Sequence, residues 1–252
     1  MMNGLQSELI KYKRTFTRKL IILAPLFFVL QALLERLLMP AHYLRPWQLI
    51  TNLVFNWWPV IFLPLGMGLF AALVDSQERK AGNYRSLRAR DTSPIYIWVN
   101  KVAGMAVHTF FATLVLFISV VLAGLITAKG AVPWAEIITA SIVSWVVSLA
   151  LIPLQLWAAT WKGMFFSMAL GFAGMATGVF AAPKSYWLAV PWSWTIRLMC
   201  PIIGVHPNGL LLEATDPLRD ASVIPIGIGL SLIVFIAATV ITALWFSKRE
   251  VK

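Results

Sequence analysis

Charge is scarce in this sequence, acidic charge above all. Only 12% of the 252 residues are charged, where a soluble domain carries roughly 25%. Asp and Glu together number 10 against 21 Lys and Arg. That shortage excludes a large solvated surface. Together with apolar runs of about 20 residues or more, it places the chain in a membrane. Cysteine occurs once, at Cys200, which excludes an intramolecular disulfide. A lone thiol in such surroundings reads as a small buried hydrophobe. No GxxxxGKS or GxxxxGKT run is present, so the chain carries no P-loop for ATP. HExxH, GxSxG and paired carboxylates in a plausible cleft are absent as well, and with them the common hydrolase signatures. His42, His108 and His206 lie far apart without metal-ligand spacing. The near absence of intramembrane acids argues against a proton relay. There is no long linker and no internal repeat, so one transmembrane domain over 1–252 is expected.

What the chain has in abundance is apolar surface: 60% of residues are hydrophobic and the mean hydropathy is +0.79. Six spans are predicted, over Leu20–Met39, Ile50–Val74, Lys101–Thr127, Ile137–Thr160, Met164–Ala182 and Ile224–Phe246. Each is long enough for a ~30 Å hydrocarbon core at about 1.5 Å per residue. An even number puts both termini on one side. On that side fall 15 of the 21 basic residues, the others being Arg36, Arg45, Lys129, Lys184, Arg197 and Arg219. The positive-inside rule makes the rich side cytoplasmic. The net charge of +11 is then a topological signal, not the footprint of a nucleic-acid partner.

The basic N-terminus followed by an apolar run resembles a signal peptide in outline. The run ends in LLERLLMPAHY, without a small-residue cleavage site, and is expected to be a true span. Residues 1–19 form a basic amphipathic segment. Leu5 to Arg18 reads either as a short helix on the inner leaflet, where its charges meet anionic lipid, or as a plain positive flank.

Between spans two and three lies a dense polar island, SQERKAGNYRSLRAR, residues 76–90. It starts at the C-terminal end of span two, where cations suit the helix dipole. Tyr84 and Leu87 stand at i and i+3 and share one face if the segment is helical. Two readings are open from spacing: a solvated positive-inside loop, or a short amphipathic element displayed to a partner. On the far side, residues 182–222 are broken by Pro183, Pro191, Pro201 and Pro207, yet too apolar for a free loop. Tyr186, Trp187, Trp192 and Trp194 are residues of the membrane interface. One or two short re-entrant or interfacial helices are expected there, with a simple aromatic belt as the alternative. Span two carries Asn56, Trp57 and Trp58 near its outer end, and Pro64 should loosen its middle. Gln31, His108 and Gln155 read as interhelical polar contacts.

The pattern Glu78-x-Lys80-x-Gly82-x-Tyr84-x-x-Leu87, followed by Pro94, Tyr96 and Lys101, is similar to the segment after span two in lantibiotic immunity ABC transporter permeases. The resemblance extends over the whole chain in length, span number and placing of the termini. Tyr84 stands where a Trp is usual, and RSLRARDTSPI is more basic than the common form. The resemblance implies an all-α membrane protein with six transmembrane helices in a bacterial cell membrane, both termini cytoplasmic. It also implies short outer re-entrant helices before span six. Residues 75–93 would contain a coupling helix that fits a groove on a cytoplasmic ATPase, with Glu78, Lys80, Gly82, Tyr84 and Leu87 as the coupling residues. Glu78 and Tyr84 would make the contact, by carboxylate and by ring. The implied partners are two ATPase copies, which hold ATP and Mg, and a second permease subunit, often a different chain. No cofactor is expected on this chain, and no enzymatic activity. The substrate would be a lantibiotic-type peptide expelled from the membrane, met by Trp57, Trp58, Trp187, Trp192 and Trp194. A permease for drugs or lipids, or a membrane protein that sequesters peptide or serves as a scaffold, are the alternatives.

Overall fold

The computed structural model describes residues 2–13, 15–40, 44–82, 84 and 92–249. Ten α-helices account for most of them. A short helix α1, Met2–Lys11, precedes α2, Phe16–Leu38. Helix α3, Trp47–Trp57, continues through a π-turn at Trp58–Phe62 into α4, Leu63–Lys80. Then follow α5, Pro94–Thr127, the pair α6, Trp134–Ser148, and α7, Leu151–Lys162, and α8, Met164–Ala181. A short helix α9, Pro191–Ile203, comes before the last long helix α10, Val223–Lys248.

Five helical stretches are long and apolar enough to cross a membrane: Phe16–Leu38, Trp47–Lys80, Pro94–Thr127, Met164–Ala181 and Val223–Lys248. The pair α6–α7, bent by 42°, makes a sixth if it crosses as one span. The expected spans thus coincide with the observed helices, and three details trace to prolines. The third span begins at Pro94, seven residues earlier than hydropathy alone suggested. Proline suits a first helical turn, where its missing N–H costs nothing. Span two is loosened just ahead of Pro64. The ring of Pro64 crowds the carbonyl four residues back and offers it no N–H. The chain answers by widening one turn, so that the Leu63 N–H donates to the Trp58 carbonyl, five residues back. The bend in span four has the same origin. Pro153 sits four residues after Leu149, at the break between α6 and α7, where its ring opposes a continuous helix.

The apolar residues left on the surface, such as Leu23, Leu30, Leu37, Phe165, Phe172, Ile233 and Ile241, lie along whole helix faces. In water such a surface would aggregate; in a bilayer it meets lipid. Helices α2 and α10 are the most exposed of the candidate spans. The protein core sits between α4, α5, α6, α7 and α9, around Phe55, Trp98, Met105, Leu116, Ile137, Ile152 and Trp194. Close approach is needed where α4 meets α8. A Cβ at Gly171 would stand 2.7 Å from the Pro64 carbonyl oxygen, so only glycine fits.

Two further features complete the layout. A two-residue parallel pairing, Arg45–Pro46 with Ala128–Lys129, joins the start of α3 to the end of α5. Helix α9 falls in the segment expected to hold short re-entrant or interfacial helices; its residues 193–200 are all buried, and it packs among α3, α6, α8 and α10. At 13 residues it is about 20 Å long, too short to cross. It ends at Gly204, whose φ of 81° is the left-handed conformation that favours glycine at a helix end.

Candidate functional site

The two ends of the bundle differ in chemistry. At the end carrying both described termini, α1, α4, α5, α7 and α10 meet around a cluster of charges. Lys101 lies two turns into α5 and is 0% exposed. Its ammonium donates to Glu78 at the end of α4 and, at 3.3 Å, to Glu8 of α1. Lys11 closes the cluster, donating to Glu8 at 2.6 Å and to Glu78 at 2.7 Å. Two carboxylates and two ammonium groups balance. Balance is needed, since one unpaired charge at such a depth costs several kcal/mol by order of magnitude. Burial works against the charge on Lys11, but Glu8 and Glu78 outweigh it and hold its pKa above the ordinary lysine value. Helix α1 can come this close because Gly104 leaves room: a Cβ there would be 3.3 Å from the Glu8 Cβ.

A second group of contacts continues from the first. Arg79 donates to Asp75 at 2.5 Å and to the Thr160 carbonyl at the end of α7 at 2.9 Å. Arg249, just past α10, donates to the same carbonyl at 2.6 Å. After α4 the chain turns through Gly82, φ 103°, and Tyr84, φ 66°. A left-handed tyrosine costs roughly 1–2 kcal/mol. The burial of its side chain offsets this. Its hydroxyl donates to Asp75 at 2.9 Å and its ring meets Phe246 edge-on at 5.3 Å. Lys101 lies 5.7 Å from the ring centre. Burial, with the Asp75 carboxylate adding to it, pushes the Tyr84 phenol well above its usual range, so it stays a donor.

Of the five residues expected to couple to an ATPase, Glu78 and Tyr84 are therefore turned inward and committed within the chain. Lys80 and Gly82 are exposed, together with Arg79 and Ala81. Leu87 lies outside the described residues, as do Arg85, Arg88 and Arg90. Sequence reasoning passed over Glu8, Lys11 and Asp75. The spacing of Glu8 and Lys11 was the one available signal, since i and i+3 share a helix face.

At the far end the five tryptophans do not form one surface. Trp57 is 40% exposed and stacks on Phe27 of α2. Trp58 is buried beside Phe62. Trp187 is buried under the Arg197 guanidinium. Trp194 is buried and donates to the Leu188 carbonyl at 3.0 Å. Trp192 is half-buried against Gly174 and Gly178 of α8. Sequence reasoning also missed the way this end is closed. Gln48, Asn52 and Asn56 form an i, i+4, i+8 stripe on α3. They donate to carbonyls of Ile203 at 2.7 Å, Gly209 at 2.9 Å and His206 at 3.2 Å. Arg197 and Arg219 hold three further carbonyls of the segment, Arg197 reaching Leu218 and Arg219 reaching Leu212 and Glu213, each at 2.8 Å. Among the described residues no three His, Cys, Asp or Glu side chains are grouped to hold a metal. Burial raises the Cys200 thiol to about 11, which makes it inert.

Apolar helices with lipid-facing sides, and an excess of basic charge at one end, define a multi-pass α-helical membrane protein. Residues 4–178 match the family described as ABC-2 family transporter protein, well over half of the chain, and the protein belongs to that family. It is the membrane-spanning permease subunit of an ABC transporter, a transport component that works with a separate cytoplasmic ATPase. No curated protein and no solved structure matches the chain.

Proposed function

We propose that this permease serves an ATP-driven exporter that expels a lantibiotic-type peptide from a bacterial cell membrane, and that the turn after α4 receives the ATPase. The observation that carries the coupling half of this reading is the charged cluster. Glu78 sits one residue before the exposed Arg79–Gly82 turn and is tied to α1 by Lys11 and to α5 by Lys101. Arg79 ties the same turn to α7. A push on the turn would reach spans two, three and four together through these contacts. The basic excess at this end supports a cytoplasmic placing of both termini. ATP and Mg would be held by two ATPase copies, and a second permease subunit would complete the pathway. The peptide reading rests on the resemblance of the 78–101 pattern. Its surface is best sought at Trp57 and Trp192, the two expected tryptophans with exposed area.

The test uses the chain expressed with the ATPase that copurifies with it. Lys80→Glu combined with Ala81→Asp reverses the charge of the turn at exposed positions, so melting should not change. Loss of an interface anchor costs about 2 kcal/mol or more, so ATPase retention should fall roughly 30-fold and protection against a lantibiotic should be lost. Unchanged retention and protection would overturn the coupling role of the turn. If wild-type cells resist small amphipathic drugs but not the peptide, the substrate assignment falls while the coupling role stands.

A further inference from the structure

A groove of about 450 Å³ opens between α1, α2 and α5, on the lipid side of the bundle. Its size is that of a small-molecule site. Its floor is apolar and open: Phe111 is 51% exposed and Ile118 53%. From His108 to Ile118 the α5 wall runs ten residues, about 15 Å, which is half of a ~30 Å hydrocarbon core, the depth of one leaflet. Its rim is cationic. Lys13 and Arg18 line it and are exposed, and among the described residues neither is ion-paired. No carboxylate lines the groove among the described residues. Tyr12 lines the groove and is almost wholly buried, and its hydroxyl has no hydrogen-bond partner among the described residues. That hydroxyl is sealed inside the protein on the side of Glu8 and Glu78 and does not open into the groove. His108, its ring tilted against Tyr12 with centres 4.2 Å apart, already uses its Nδ1 on the Gly104 carbonyl.

We propose that this groove seats one anionic phospholipid from the leaflet on the side of the termini. Its phosphate lies between Lys13 and Arg18, and one acyl chain runs along Phe111 to Ile118. Cationic rim and one-leaflet apolar floor follow the order of groups in such a lipid. A cationic peptide would meet like charge at the rim. The lipid would hold α1 against α5 from the side opposite the Glu8–Lys101 pair. The inference rests on the membrane setting alone and is independent of the transported substrate.

The test is the melting temperature of the purified chain in mild detergent, with phosphatidylglycerol, phosphatidylcholine or inorganic phosphate added. Phosphatidylglycerol should raise it by roughly 4 °C, and the other two should not. Lys13→Gln with Arg18→Gln, both exposed, should abolish the shift, and so should Ile118→Trp, which fills the floor and leaves the rim intact. The proposal is overturned if phosphatidylcholine or free phosphate stabilises as well as phosphatidylglycerol. It is equally overturned if the charge variant keeps the shift, or if Ile118→Trp keeps it in full, since the lipid would then not enter the groove.

Discussion

Lys101→Met should lower the melting temperature of the detergent-solubilised chain by roughly 10 °C and sharply reduce the monodisperse fraction. Methionine matches the length of the lysine stem, so packing changes little. What changes is charge. Glu8 and Glu78 would share Lys11 alone, and Lys11 is the more exposed of the two lysines. Removing one partner of a buried pair costs about 3–5 kcal/mol, whereas an exposed pair is worth about 0–1 kcal/mol. Against a total stability of about 5–15 kcal/mol, the loss is severe. Adding Glu78→Gln should recover part of it, because it removes the carboxylate that was stranded, and contacting residues couple by about 0.5–3 kcal/mol. Size-exclusion chromatography after a temperature series measures both. A single variant as stable as wild type, or a double variant no better than the single, would show that the cluster does not hold this end together.

Trp194→Ala should be nearly as damaging, at about 3–5 kcal/mol. The side chain is 2% exposed in the middle of α9, and its truncation opens a large cavity. Trp194→Phe keeps most of the packing and should lose chiefly the hydrogen bond to Leu188, about 0.5–1.5 kcal/mol. Trp57→Ala is the contrast. At an exposed position, stability should stay within about 0.5 kcal/mol of wild type, so any loss of peptide protection would report on function and not on folding. The melting temperatures of the three variants check the order. A Trp194→Ala chain that melts like wild type would contradict the buried placing of α9.

The spans were legible because a bilayer imposes length and apolarity on contiguous residues, and contiguity is what a sequence displays. Pro64 announced a disturbance in span two for the same local reason. The bend before Pro153 follows the same rule but was hidden inside an unbroken apolar run. The charged cluster was only half legible. Glu78 and Lys101 stood out within a family-like pattern, yet nothing local shows that residues 8, 11, 78 and 101 share one site. Their meeting depends on how α1 folds back over α5, a tertiary fact made possible by Gly104. The tryptophans misled for a related reason. Trp187 and Trp194 have the composition of an interfacial belt, and composition does not distinguish a ring that meets lipid from one packed into protein. The stripe Gln48, Asn52, Asn56 was readable as a polar face, but its partners, backbone carbonyls of 203–209, carry no signature in any side chain.

The central claim is that the ATPase acts on the turn between α4 and α5. Ala81→Cys, at an exposed position of that turn, and Ala131→Cys, exposed at the opposite end of α5, can each be placed on a Cys200→Ser background. The two chains would then be labelled with benzophenone maleimide, which attaches to the thiol and on irradiation inserts into any C–H bond in reach, and irradiated with the copurifying ATPase bound. The account predicts a cross-linked permease–ATPase band from the position-81 substitution and none from position 131. Cross-linking from position 131, or none from position 81 while the ATPase remains bound, would contradict it.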